Sequence, residues 1–536
     1  MKENFFRSMT WLHTWVGLLV CWLLYLIFFA GTLSFFRDEI TLWAQPEVHH
    51  VQANPARVSA QKQQIISAVA QLQQQAPDSP SWRISLPEAR IPVLSYGYAK
   101  PREEGQRRAQ FEMTHINPNE GELVEQPRDT RGGNFFYRLH FDLHYIDVLT
   151  ARWIVCLASL FMLIALISGV IIHKRIFKDM FSFRRGKGSR SWLDGHNVSS
   201  VLALPFHLMI TYTGLITLIF MLFPYPAKTL YEDGLRGLFN DALPTNVRTE
   251  PSSQAAPFID IKVLLDQIYT NYPEADFSRV FIRGANTESA TLAFYLATGK
   301  QVQDNGPVLL YNGVDGSLLA QSGTELSAAK VFYDSMTALH TGRLADPLLR
   351  WLYFICGIAG CAMIATGCIM WARRLRERMK AQHTASLGLK LVEALNLATL
   401  MGLTLATCAF FIANRLLPLD IAGRADKEIL AFFLAWLAVT LLALFKRGKK
   451  QWWQCAWLNA FACLSVPVVN AFSTNGNVVS YALQQQWSLL ACDLLFIVAA
   501  LACIAQATKI RTAMNPAQQA KATQNQRKRT LKEQQA

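Results

Sequence analysis

The residues of this chain that could do chemistry are histidines in apolar surroundings, and they recur at matched positions. His13 lies near the start of the apolar stretch WLHTWVGLLVCWLLYLIFFAGTLSFF, and His196 opens GHNVSSVLALPFHLMITYTGLITLIF. Each is followed eighteen residues later by a glycine, Gly31 and Gly214. That is five helical turns, so each His and its Gly share a helix face. A second correspondence runs through Phe136-Tyr137 before His144 and Phe332-Tyr333 before His340, then Arg152-Trp153 and Arg350-Trp351, then Gly169 and Gly367. An imidazole inside a membrane segment is costly unless it serves a purpose. Two imidazoles at one depth on facing helices are what an iron porphyrin needs, and iron with both axial positions filled suits electron transfer.

On this alignment His144 and His340 make the best pair, at the outer edge of the helices opened by Arg-Trp. His13 and His196 form the symmetric inner pair. His207, eleven residues after His196, falls on the same helix face about 16 Å deeper. Its position in the first copy holds Leu24. His173 ends the second apolar stretch beside Lys174 and Arg175, where snorkelling explains it better than ligation does. A second iron would draw on His13, His196, His207 and His173. His140, one turn before His144, has Met336 opposite it in this alignment and reads as a residue beside the site rather than a ligand. A zinc site from His140, His144 and Asp147 is a weaker possibility. Arg152 and Arg350 could pair with porphyrin propionates or simply snorkel.

The elements that must position these residues are membrane helices. Of the 536 residues, 51% are hydrophobic, and mean hydropathy is +0.17. Runs of spanning length cover 11–36, 153–172, 198–223, 351–371, 390–414, 428–445, 454–471 and 487–507, predicting eight helices. Basic clusters at Lys174–Arg190, Arg373–Lys380, Lys446–Lys450 and in the tail fall on one side if both termini are cytoplasmic. The net charge of +14 is then an orientation signal, and nucleic-acid binding is not needed to explain it. The first run is too long for the core of a signal peptide and reads as a retained anchor.

The order along the chain predicts a duplicated unit of helix, external domain and helix. The first repeat is 1–180, with its external domain at about 37–150. The second is 190–378, with its external domain at about 224–348. Each external segment mixes an amphipathic helix with alternating stretches, predicting two small α+β domains. Residues 388–510 add four helices, and 511–536 read as a basic, disordered tail. All ten cysteines lie in or beside apolar helices, so the external domains fold without disulfides. No CxxCH occurs, excluding covalently attached c-type haem. P-loop, GxGxxG and HExxH motifs are also absent, so no nucleotide, flavin or zinc-protease chemistry is implied.

A strand–turn–strand with Asn, Asp and Gly (HINPNEGELVEQ and YNGVDGSLLAQ), then an aromatic before His, then Arg-Trp opening a helix, resembles the PepSY-associated transmembrane family. So do the pairs Ala30-Gly31, Thr213-Gly214 and Thr366-Gly367. The resemblance covers roughly residues 5–378. It implies a multi-pass protein of the bacterial inner membrane with periplasmic domains. It is similar to ferric-siderophore reductases that hold haem b, here two, in a four-helix bundle. The implied partners are a ferric-siderophore, a cytoplasmic or quinol electron donor, and lipid. The alternative is a membrane-anchored binding or regulatory protein of a periplasmic peptidase or envelope enzyme, without redox activity. The four C-terminal helices lie outside the resemblance.

Overall fold

The computed structural model describes residues 2–51, 58–101, 111–173, 189–219, 223–234, 237, 252, 254–297, 306–322, 328–343, 345–379 and 386–515. The basic loop after the second apolar run and the tail beyond Asn515 lie outside these residues. Among the described residues seven helices are long and apolar enough to span a membrane: Glu3–Ser34, Val148–Ile172, Pro347–Met379, Leu387–Leu416, Arg424–Phe445, Lys449–Ser473 and Trp487–Met514. The eighth expected span is a bent pair, Arg190–Leu202 and Leu204–Thr217, at 67°. Pro205 accounts for the break, because its ring lacks an N–H and collides with the carbonyl of the preceding turn. The chain is therefore a polytopic helical membrane protein.

Two compact units form. The first comprises residues 1–46, 129–207 and 353–536. Its helices include α1 (Lys2–Ser34), α2 (Arg37–Trp43), α4 (Gly132–Asp142), α5 (Val148–Ile172) and α6 (Ser189–Leu202). The first residues of α7 (Leu204–Thr217) and most of α11 (Pro347–Met379) also belong to it. The added C-terminal helices are α12 (Leu387–Leu400), α13 (Gly402–Leu416), α14 (Arg424–Phe445), α15 (Lys449–Ser473), α16 (Val478–Leu483) and α17 (Trp487–Met514). They pack on the N-terminal helices through aromatic rings. Phe135 and Phe136 of α4 stack with Phe410, Phe411 and Phe432, with centroids 5.0 to 6.3 Å apart. Trp22 of α1 donates to Asn396, whose amide in turn donates to the carbonyl of Cys368 on α11.

Within that apolar contact lies a buried polar network. Glu428 and Arg424 pair one turn apart on α14, exposed by 0% and 1%. Glu428 also accepts from Thr130, just before α4, at 2.5 Å and from Asn414 at 2.8 Å. Arg424 donates to the carbonyl of Asp129. Arg415 lies 3.8 Å over the Trp43 ring and donates to Asn470, which donates to Asp493. Asp493 further accepts the Trp43 indole N–H at 2.9 Å. Buried carboxylates need compensating partners: Glu428 is paired with Arg424 and hydrogen-bonded, and Asp493 accepts hydrogen bonds from Trp43 and Asn470. Asp493, a lone acid in an apolar run, thus serves a bond to an Asn on a neighbouring helix.

The second unit comprises residues 47–128 and 208–352. It contains α3 (Val58–Gln75), β1 (Ser81–Ser85), β2 (Leu94–Ala99), β3 (Phe111–Ile116), α8 (Tyr225–Leu230) and α9 (Ile261–Asn271). It continues through β4 (Phe277–Arg283), β5 (Thr291–Leu296), β6 (Val308–Asn312), β7 (Leu318–Ser322) and α10 (Ala328–Thr341). Each segment expected to be external does supply a helix and antiparallel strands, but the two share one sheet of order β3-β2-β1-β4-β5-β6-β7. The join is β1 against β4, from Ser81↔Arg283 to Ser85↔Arg279. One core serves both halves: Ile65 and Leu72 of α3, Leu264 and Ile268 of α9, and Trp82, Ile84, Val280, Ile282, Leu292 and Phe294 from the strands. Alternation on β1 and β4 sends these apolar side chains to the helices and their neighbours to the other face.

Candidate functional site

Four histidines have the same local construction. Each ring lies against a glycine of another helix, and each Nδ1 meets the carbonyl four residues before that glycine. His13 faces Gly169, with Nδ1 2.8 Å from the Ala165 oxygen. His140 faces Gly31 and the Ile27 oxygen, at 2.8 Å. His196 faces Gly367 and the Met363 oxygen, at 2.8 Å. His340 faces Gly214 and the Ile210 oxygen, at 2.9 Å. A Cβ at Gly31 or Gly214 would stand 2.8 or 2.7 Å from the imidazole, so only glycine lets the ring approach. At Gly169 and Gly367 the approach would be 3.1 and 3.3 Å.

The carbonyls fix the tautomer. A carbonyl only accepts, so Nδ1 carries the proton and Nε2 the lone pair. Metal-ligating histidines are usually oriented this way, by a backbone carbonyl on the other ring nitrogen. In three cradles the residue before the glycine is a hydroxyl that donates to the same carbonyl: Ser168 to Ala165, Thr213 to Ile210 and Thr366 to Met363. Ala30 stands in that place in the fourth.

Within the first unit, the ring centroids of His13 and His196 are 6.3 Å apart and the rings are inclined at 71°. An imidazole nitrogen binds a first-row metal at about 2 Å, so two rings sharing one iron have centroids on the order of 6 Å apart. His207 is fully buried against Phe28, Phe206 and Gly360. Neither of its ring nitrogens has a hydrogen-bond partner among the described residues. His173 accepts at Nε2 from Asn197, beside His196, at 3.0 Å. Among the described residues no three or more His, Cys, Asp and Glu gather to hold a metal ion. A haem needs only two protein ligands, because the porphyrin supplies four nitrogens. The donor chemistry, the glycine cradles and the orphaned His207 fit that group.

His144 has a different environment. It follows the end of α4, where Leu143 and His144 both take positive φ, 52° and 55°. Its ring stacks on Phe433 at 5.4 Å and meets the edge of Phe135. Burial holds its pKa below the usual value, against an opposing pull from Asp426. The cradle that corresponds to that of His340 is occupied by His140. Asp147 caps α5 through the Thr150 N–H, so the suggested His140, His144 and Asp147 zinc set does not assemble. Arg152 pairs with Asp142 at 2.7 Å. A signal for His140 was present in the sequence: His140 and His340 each end a short amphipathic helix before an Asp-opened membrane helix.

The described geometry extends over both halves of the duplication, and so does the family relationship. An uncharacterised protein of Pseudomonas aeruginosa is 23% identical over 352 residues, covering 60% of this chain and 82% of its own length. The family described as the PepSY-associated TM region matches residues 10–374, through all four cradles, and the chain belongs to that family.

Proposed function

We propose that the protein is a transmembrane b-type haem oxidoreductase of the bacterial inner membrane that reduces a periplasmic ferric-siderophore and releases Fe(II). The observation that carries this reading is the fourfold cradle, with His13 and His196 at a separation suited to one shared iron. In this reading His13 and His196 are one ligand pair, and His140 and His340 are each ligands toward the outer face. His207 adds a buried imidazole whose ring nitrogens have no hydrogen-bond partner among the described residues. When bound, haem supplies an iron that gains and loses one electron without changing its ligands. The residues do the rest. The Ala165, Ile27, Met363 and Ile210 carbonyls hold the protonated Nδ1 and make Nε2 more basic. The glycines set how closely each ring lies on its neighbour. Each ferric chelate takes up one electron, from a quinol or a cytoplasmic reductant. Hard oxygen donors hold Fe(II) less tightly than Fe(III), so reduction frees the metal.

The test is the purified protein itself. A dithionite-reduced spectrum is expected to show a b-type α band, and acid–acetone is expected to extract the pigment. Ferric-siderophore added to the reduced protein is expected to reoxidise it, with Fe(II) collected by a ferrous trap. Protein that stays colourless when made in haem-replete cells removes this reading and favours a binding or regulatory role for the sheet domain. A haem protein that no ferric chelate reoxidises faster than buffer controls is not this reductase.

A further inference from the structure

The sheet face away from α3 and α9 carries three arginines that have no acidic partner among the described residues. The register of β1 and β4 fixes their arrangement. Arg83 is the Cα partner of Phe281, and Arg279 and Arg283 stand two residues to either side of Phe281. They are therefore diagonal neighbours of Arg83, about 7–8 Å away. Arg83 and Arg283 are exposed and Arg279 is half-buried. Among the described residues no carboxylate pairs with any of the three. The alternation of β1 to β5 places Ser81, Ser85, Ser95, Gly97, Met113, His115, Thr291 and Ala293 on the same face and no acidic residue.

Aromatic rings lie between the charges. Arg279 sits 4.2 Å over the Tyr295 ring and Arg283 5.3 Å over Phe281. Phe111 lies 6.3 Å from Phe281. Like charges brought together across a sheet destabilise it. A sheet face that gathers such a cluster, with no counter-charge among the described residues, is complementary to an anion. Guanidinium forks match planar oxygen donors, and rings between them add stacking area.

We infer that this face, built from Arg83, Arg279, Arg283, Phe111, Phe281 and Tyr295, binds a polyanionic ferric chelate with aryl donors of the catecholate type, in preference to an uncharged hydroxamate chelate. The inference rests on the ferric-chelate reading above and names its substrate class. The probes are ferric tris(2,3-dihydroxybenzoate) and ferric tris(acetohydroxamate), titrated by calorimetry into the full-length oxidised protein in detergent. The catecholate complex is expected to bind at least about tenfold more tightly, with affinity falling as salt rises. The double variant Arg83→Gln with Arg279→Gln is expected to lose about tenfold or more for the catecholate complex alone. Its unfolding temperature and absorbance spectrum are expected to stay as in the unmodified protein. Arg283→Gln alone is expected to give a smaller loss in the same direction. Equal binding of the two chelates, unchanged binding by the double variant, or equal competition by inorganic phosphate overturns the inference. Because this experiment measures binding, it separates the two ideas. Binding without reoxidation of reduced protein would leave the arginine face standing and remove the reductase reading.

Discussion

At the residue scale the decisive unit is a histidine with the glycine and carbonyl of a neighbouring helix. The sequence puts His13 and Gly31 on one face of α1, and that face is real, but the two belong to different cradles. Gly31 receives His140 and His13 goes to Gly169. The same exchange occurs in the second copy, where Gly214 receives His340 and His196 goes to Gly367. Whether His140 or His144 is the ligand in the proposed haem site can be tested directly. His140→Ala is expected to lower the haem-to-protein ratio and change the reduced spectrum, because it removes an oriented imidazole from its cradle. His144→Ala removes a ring stacked on Phe433 and is expected to leave haem content unchanged. Pyridine haemochrome assays on both variants check this. Haem loss from His144→Ala, with retention in His140→Ala, would restore the pairing suggested by the Phe-Tyr alignment.

At the element scale the C-terminal helices act as a buttress for α4. Their aromatic residues cover Phe135 and Phe136, and their buried ion pair reaches Thr130 and Asp129 at the entry to that helix. Removing one member of a buried pair leaves an uncompensated charge, at a cost of about 3–5 kcal/mol. Arg424→Met and Glu428→Met are each expected to lower the unfolding temperature in detergent sharply. The double variant is expected to be closer to the unmodified protein than either single, because the residues act on each other. Thermal unfolding of the three variants checks this, and strictly additive losses would contradict it. The helices themselves were legible as apolar runs. Their use of Arg415, Arg424 and Glu428 inside the protein was not, since charges near the ends of such runs usually reach for solvent.

At the scale of the whole molecule, the shared sheet makes the two segments that build it dependent on each other. Residues 47–128 alone would leave β1 without its β4 partner and expose Trp82 and Ile84, both fully buried in the complete protein. That segment is expected to be insoluble or unfolded when produced alone, and to become soluble and β-rich when produced with residues 252–322. Circular dichroism of the single and combined pieces checks this; a folded single segment would show that each half has a core of its own. The amino-acid sequence by itself determined what depends on local pattern. Hydropathy set the spans, repeated spacing set the duplication, and the cost of polar groups in lipid singled out the histidines. Only the tertiary structure decided which glycine each histidine meets, and that two expected domains share one sheet. The physical reason is that periodicity along a chain fixes the face of an element and leaves open which neighbour packs on it. Between His140 and Arg152 the chain has two residues more than between His340 and Arg350. Counting back from Arg-Trp therefore does not align His140 with His340, whereas the packing of each ring against a glycine does.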